Sequence, residues 1–125
     1  MRHDRTIGEL QERVRRFAHA RDWEQFHTPK NLAMALAVEA AELLEHFQWM
    51  TPAESAQLTA RKKLAVAQEI ADVLIYLLRL SDVLRIDALA AAVSKMSVNA
   101  RKYPVSHARG SAVKYSRRRR RRHPL

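Results

Sequence analysis

The sequence predicts an all-α protein of the four-helix-bundle type, and three observations predict it. Apolar residues recur at three- and four-residue steps along most of the chain. Clean period-two alternation, the mark of a strand with one buried face, is absent. Only two glycines and four prolines punctuate 125 residues, so few turns are marked and long helices are favoured over many short strands. No internal repeat is visible.

Each helix can be justified in turn. The first is expected from about Thr6 to Arg21, with Ile7, Leu10, Val14, Phe17 and Ala18 on one stripe. Thr6 and Glu9 have capping-box spacing at its start. Arg21 to His27 then breaks the pattern and reads as a loop rich in aromatic and polar groups. The second helix should begin near Thr28, with Pro29 at its first position, where a missing amide hydrogen matters little. It is expected to run to about Trp49, with Thr51-Pro52 ending it. Ala53 to Arg61 can add a short turn, and the third helix runs from about Lys62 to Leu84. A fourth follows Asp87, an N-cap candidate, and ends before Tyr103-Pro104. The second and third helices are apolar on more than one face, which implies burial on several sides and an oligomer to supply the cover.

Composition narrows the chemistry. With no cysteine there is no disulfide, no thiolate metal site and no cysteine nucleophile, so a bound metal needs oxygen or imidazole ligands. The N-terminal residues lack the apolar run of a signal peptide, and no apolar stretch approaches the roughly 18 residues of a membrane span. A cytoplasmic protein with no membrane partner is therefore expected. The net charge of +10 belongs to one end. Residues 101–125 carry Arg101, Lys102, Arg109, Lys114 and Arg117 to Arg122 with no acid, while the remainder holds equal numbers of acids and bases. The expected organisation is a helical domain over 1–115 and a disordered Arg-rich tail over 116–125.

The informative feature is where the acids sit. Glu39, Glu42 and Glu45 interrupt the apolar middle of the second helix, and Glu69 and Asp72 interrupt the third. Glu39 with Glu42, and Glu69 with Asp72, are three apart and share a helix face. Tyr76 continues the second stripe by one turn. Carboxylates brought together out of water repel, and neither acidic stretch contains a Lys or Arg to neutralise them. A hard divalent cation relieves that repulsion, and Mg²⁺ suits oxygen ligands while keeping waters and substrate phosphates in its shell. Glu45 is either a group supporting the ligands or an exposed acid.

These residues resemble the all-α nucleotide pyrophosphohydrolases of the MazG-like superfamily, whose signature is E-E-x-x-E, a spacer, then E-x-x-D. Here it stands as Val38-Glu39-Ala40-Ala41-Glu42 and Glu69-Ile70-Ala71-Asp72, with Val38 in place of the first Glu. The segments RDWEQFHTPKNL, ELLEHFQW, EIADVLIYL and SKMSVNARKYP are similar to the dCTP pyrophosphatase branch, which lacks the same first Glu. The likeness covers roughly residues 7–115. It implies a homotetramer, Mg²⁺, and hydrolysis between the α- and β-phosphates of dCTP or base-modified dCTP, a sanitation of the nucleotide pool.

Carried over by position, the resemblance makes Glu39, Glu42, Glu69 and Asp72 the catalytic metal ligands. It gives Trp23, His27, Trp49 and Tyr76 to the base and sugar, and Lys95, Asn99 and Tyr103 to the phosphates, with Arg101 and Lys102 as lesser candidates. The residues themselves agree. Trp23 and Trp49 are the only tryptophans and both lie at helix edges, where an indole can stack on a base or cap the core. Lys95, Asn99 and Lys102 recur at helical spacing and can face one anion or simply solvent. In the implied reaction a water attacks the α-phosphorus directly, with Glu39 or Glu42 as its base and pyrophosphate leaving.

Two rivals stand beside this reading. A non-enzymatic helical module would bind nucleic acid through the phosphate-seeking Arg117–Arg122 run, which has no interleaved aromatics for stacking. A nucleotide sensor without turnover would keep the fold, although all four ligand acids are retained.

Overall fold

A computed structural model describes residues 6–117. Among the described residues the helices in order are α1 Ile7–Ala20, α2 Pro29–Glu45, α3 Pro52–Ser55, α4 Ala60–Val83, α5 Ala88–Lys102 and α6 Val105–Ala108. There is no strand among the described residues, so the expected all-α class holds. The chain divides into two compact units, the first reaching Asp87 and the second beginning at Ala88. Of the Arg-rich tail, Arg118 to Arg122 lie outside the described residues.

Side-chain caps set the helix starts. Thr6, Thr28, Thr51 and Thr59 each accept a hydrogen bond from a backbone N–H of the first turn. At α3 the box is reciprocal, with Glu54 returning a bond to the Thr51 N–H. The ends of α1 and α4 use a left-handed residue in place of glycine. After α1, Asp22 has φ 53°, the Trp23 N–H reaches the Ala18 carbonyl at 3.0 Å and the Asp22 N–H reaches that of His19 at 3.1 Å. After α4, Arg85 at φ 55° repeats the arrangement, with Ile86 bonded to Ser81 at 2.8 Å.

The second helix is shorter than the sequence suggests. It ends at Glu45, and His46 to Met50 continue as tight turns, with the Phe47 N–H on the Leu44 carbonyl at 2.9 Å. Phe47 and Trp49 keep the apolar rhythm through those turns, which is why the pattern runs past the true end. The short α6 has no periodicity long enough to register in a sequence pattern.

Within the first unit α2 and α1 both pack on α4. The buried apolar side chains among the described residues are Ala18, Leu32, Val66 and Leu78. Gln11 ties α1 to α4 by donating from Nε2 to the Leu78 carbonyl at 3.0 Å. Many large apolar groups of α2 and α4 stay exposed, among them Met34, Val38, Leu44, Leu64, Ile70, Leu74 and Leu77. The helices are therefore apolar well beyond what one chain covers. No helix among the described residues is long and apolar enough to cross a membrane.

Candidate active site

The face that α2 turns toward α4 carries the acids. One carboxylate oxygen from each of Glu39, Glu69 and Asp72 lies within 4.8 Å of the others. Glu42, one turn from Glu39, is within hydrogen-bonding reach of it. Two carboxylate oxygens of these residues, Glu39 Oε2 and Glu69 Oε2, are buried with no hydrogen-bond partner among the described residues. Burying an unpartnered carboxylate oxygen is costly, so the arrangement is incomplete as a set of protein groups alone.

The electrostatics agree. Loss of water pushes the Glu39 carboxyl up to about 7, helped by its hydrogen bond to Glu42 and by the charges of Glu42, Asp72 and Glu69. A cluster of oxygen donors with orphaned lone pairs fits a hard divalent cation, and Glu39, Glu69 and Asp72 would hold it with Glu42 alongside. Glu45 is exposed at the end of α2 and is not one of the three clustered acids.

Sequence reasoning missed His46. Its Nε2 lies 3.7 Å from Glu69 Oε1, with both side chains largely covered. The spacing Glu39, Glu42, His46 puts it on the acid face of α2 and was the available signal.

The aromatic candidates gather in part. The α1 cap fixes Trp23, whose ring stands edge-on to Phe17 at 5.6 Å and to His27 at 6.2 Å. The Arg21 guanidinium lies over the other end of this row, 3.5 Å from the Phe17 ring centre. Asn31 donates to the Phe26 carbonyl at 3.0 Å and so secures the loop against the start of α2. Tyr76 is half-buried on the Glu69–Asp72 face of α4. Trp49 makes no aromatic contact among the described residues and is 88 % exposed. Lys95, Asn99, Arg101, Lys102 and Tyr103 belong to the second unit. There Asn99 and Lys102 are half-buried, Lys95 and Arg101 are exposed, and the Tyr103 hydroxyl accepts from the Tyr115 N–H at 3.0 Å.

Arg79 is the second residue that sequence reasoning missed. It is only 6 % exposed, lies one turn beyond Tyr76, and donates from Nε to His27 Nδ1 at 3.0 Å. Asp82 faces its Nη1 at 3.4 Å. Arg15 grips the same Asp82 through two bonds of 2.9 and 2.7 Å, and Glu12 pairs with both Arg15 and Arg16. The Arg15 grip holds the Asp82 carboxyl below the usual carboxylate range.

The description of the MazG-like family matches residues 34–117. The chain belongs to the MazG-like family. Its MazG-like segment carries all four acids, whereas Trp23 and His27 precede it. Relatives extend further: the dCTP pyrophosphatase 1 of Homo sapiens is 43 % identical over 113 residues, covering 89 % of this chain and 66 % of that protein. The dCTP pyrophosphatase 1 of Rattus norvegicus is 42 % identical over the same length and share. The chain thus spans just under two thirds of the length of these relatives. Among solved structures, a pyrophosphatase from Archaeoglobus fulgidus superposes with a TM-score of 0.75 at 47 % identity, covering 83 % of this chain and 97 % of that one. The family that the acidic signature and its flanking segments resemble is the family found.

Proposed function

We propose that this MazG-like chain hydrolyses dCTP and base-modified dCTP to the monophosphate and pyrophosphate, clearing unwanted nucleotides in the cytoplasm. The observation that carries the reading is the meeting of Glu39, Glu69 and Asp72 with two buried, unpartnered oxygens. The relatives named dCTP pyrophosphatase 1 support the substrate.

Glu39, Glu42, Glu69 and Asp72 would hold Mg²⁺, which when bound screens the triphosphate oxygens and the leaving pyrophosphate. The chain's own groups do the rest. A carboxylate of the α2 pair accepts the proton of the water that attacks the α-phosphorus. Trp23 offers a face for stacking, and His27 and Tyr76 offer polar edges to the base and sugar, with Trp49 as a further aromatic surface. Lys95, Asn99 and Tyr103 act on the phosphates. The exposed apolar side chains of α2 and α4 support a homotetramer that covers them.

Incubating the protein with Mg²⁺ and a panel of triphosphates tests this directly. Monophosphate and pyrophosphate should appear, fastest from dCTP. Diphosphate and phosphate as products, or no turnover of any triphosphate, would contradict the reading.

A further inference from the structure

We propose that Arg79 is a positioning residue that fixes His27 as a neutral ring with its hydrogen on Nε2, so that His27 presents a donor to an acceptor atom of the nucleotide. The second half rests on the proposed function, and the first half does not.

The argument starts from valence. A guanidinium has five N–H donors and no lone pair, and it stays protonated in proteins. Arg79 Nε lies 3.0 Å from His27 Nδ1, so the nitrogen facing it must be the acceptor. An imidazole with a lone pair on Nδ1 is neutral and carries its hydrogen on Nε2. Desolvation, and after it the Arg79 charge, lower the His27 pKa and so favour the same neutral form.

The surroundings keep the donor in place. Arg79 is 6 % exposed, and its burial is tolerable because the Asp82 carboxylate compensates the charge, with Arg15 holding that carboxylate in place. His27 is braced independently. Its backbone N–H donates to the Trp23 and Glu24 carbonyls at 3.2 Å, and its ring stands against Trp23 at 6.2 Å. Glu69, Asp72, Tyr76 and Arg79 fall on one face of α4. Asp72 and Arg79 are seven residues apart, about 10 Å along the helix. Arg79 thus holds His27 at the far end of the stripe that begins with the acids. A donor there recognises a carbonyl, ring-nitrogen or phosphate oxygen acceptor and rejects a donor.

Two-bond ¹H–¹⁵N spectra of histidine-labelled protein, with the His27 signals assigned by their loss in His27→Asn, read the tautomer directly. The unsubstituted protein at neutral pH should show Nδ1 bare and Nε2 protonated for His27. A ring protonated on Nδ1, alone or on both nitrogens, would overturn the proposal without any Arg79 variant having to fold. Arg79→Met should release the ring to a mixture of tautomers and raise the KM for dCTP about tenfold, with kcat within about twofold. Arg79→Lys, which keeps a donor and the charge, should recover part of the KM. An unchanged tautomer and KM in a folded Arg79→Met would overturn it. If His27→Ala leaves KM unchanged while the tautomer is as stated, the nucleotide half is overturned and the Arg79–His27 pairing stands. Failure of the proposed reaction itself would show as no turnover by the unsubstituted enzyme, which the spectra do not depend on.

Discussion

Glu39 is the residue on which the metal-free protein's pH response turns. Its folded pKa of about 7 lies above the ordinary 4.5. A carboxyl raised in this way favours folding while protonated, so its contribution is full below about 4.5 and is lost as pH climbs through about 7. Thermal melting of the metal-free protein should therefore show a declining Tm across that interval, and Glu39→Gln should flatten the decline. Mg²⁺ should reverse it, because ion binding displaces the same proton. An identical Tm profile in the variant would remove Glu39 from the cluster. Asp82 has the opposite sign. Its depressed pKa gives stability that is present above the ordinary carboxylate value and lost as pH falls through the folded one. Asp82→Ala strands the buried Arg79 guanidinium and should destabilise by about 3 kcal/mol in urea unfolding.

These residues differ in how far the sequence disclosed them. Glu39, Glu42, Glu69 and Asp72 broke an apolar helical pattern, and breaking a rule is visible without a structure. Arg79 broke it too, within the run Tyr76-Leu77-Leu78-Arg79-Leu80, but its partner His27 is 52 positions away in the chain. A lone cation in a helix reads as a solvated one unless the distant acceptor is known. His46 was hidden for the same reason, since its neighbour Glu69 sits on another helix.

At the scale of elements, the bounds of α1 and α5 and the end of α4 were legible to within a residue, whereas the start of α4 was placed two residues late and the end of α2 too far on. Thr28-Pro29 states the start of α2 in local chemistry, and Thr28→Ala should lower stability by about 1 kcal/mol in thermal melting. The end of α4 carries no such statement in glycine or proline. The α4 terminus places Arg85 at φ 55° where glycine would sit without strain. Arg85→Gly should raise stability by about 0.5 kcal/mol or more, read as a higher Tm. A lower Tm would mean that the Arg85 side chain contributes more than its backbone loses. The α2 end was misread because apolar residues continue through the turns that follow Glu45, and rhythm alone does not separate a helix from successive turns.

For the whole molecule, the apolar faces of α2 and α4 and the acid cluster are two consequences of one packing. The helices approach closely enough to bring Glu39, Glu69 and Asp72 together, yet leave Leu44, Leu64, Ile70 and Leu74 in water. Sedimentation should find an assembly larger than one chain, and Leu74→Asp should shift it toward smaller species. An unsubstituted protein sedimenting as a single chain would mean that those faces stay uncovered.

The most direct test follows the phosphorus. With dCTP and Mg²⁺ in the tube, ³¹P NMR should show pyrophosphate and a monophosphate growing together for the unsubstituted protein. Asp72→Asn and Glu69→Gln, folded by circular dichroism, should lose at least about a hundredfold of that rate. Full rates in both variants would contradict the claim that these carboxylates gather to hold the ion on which hydrolysis depends.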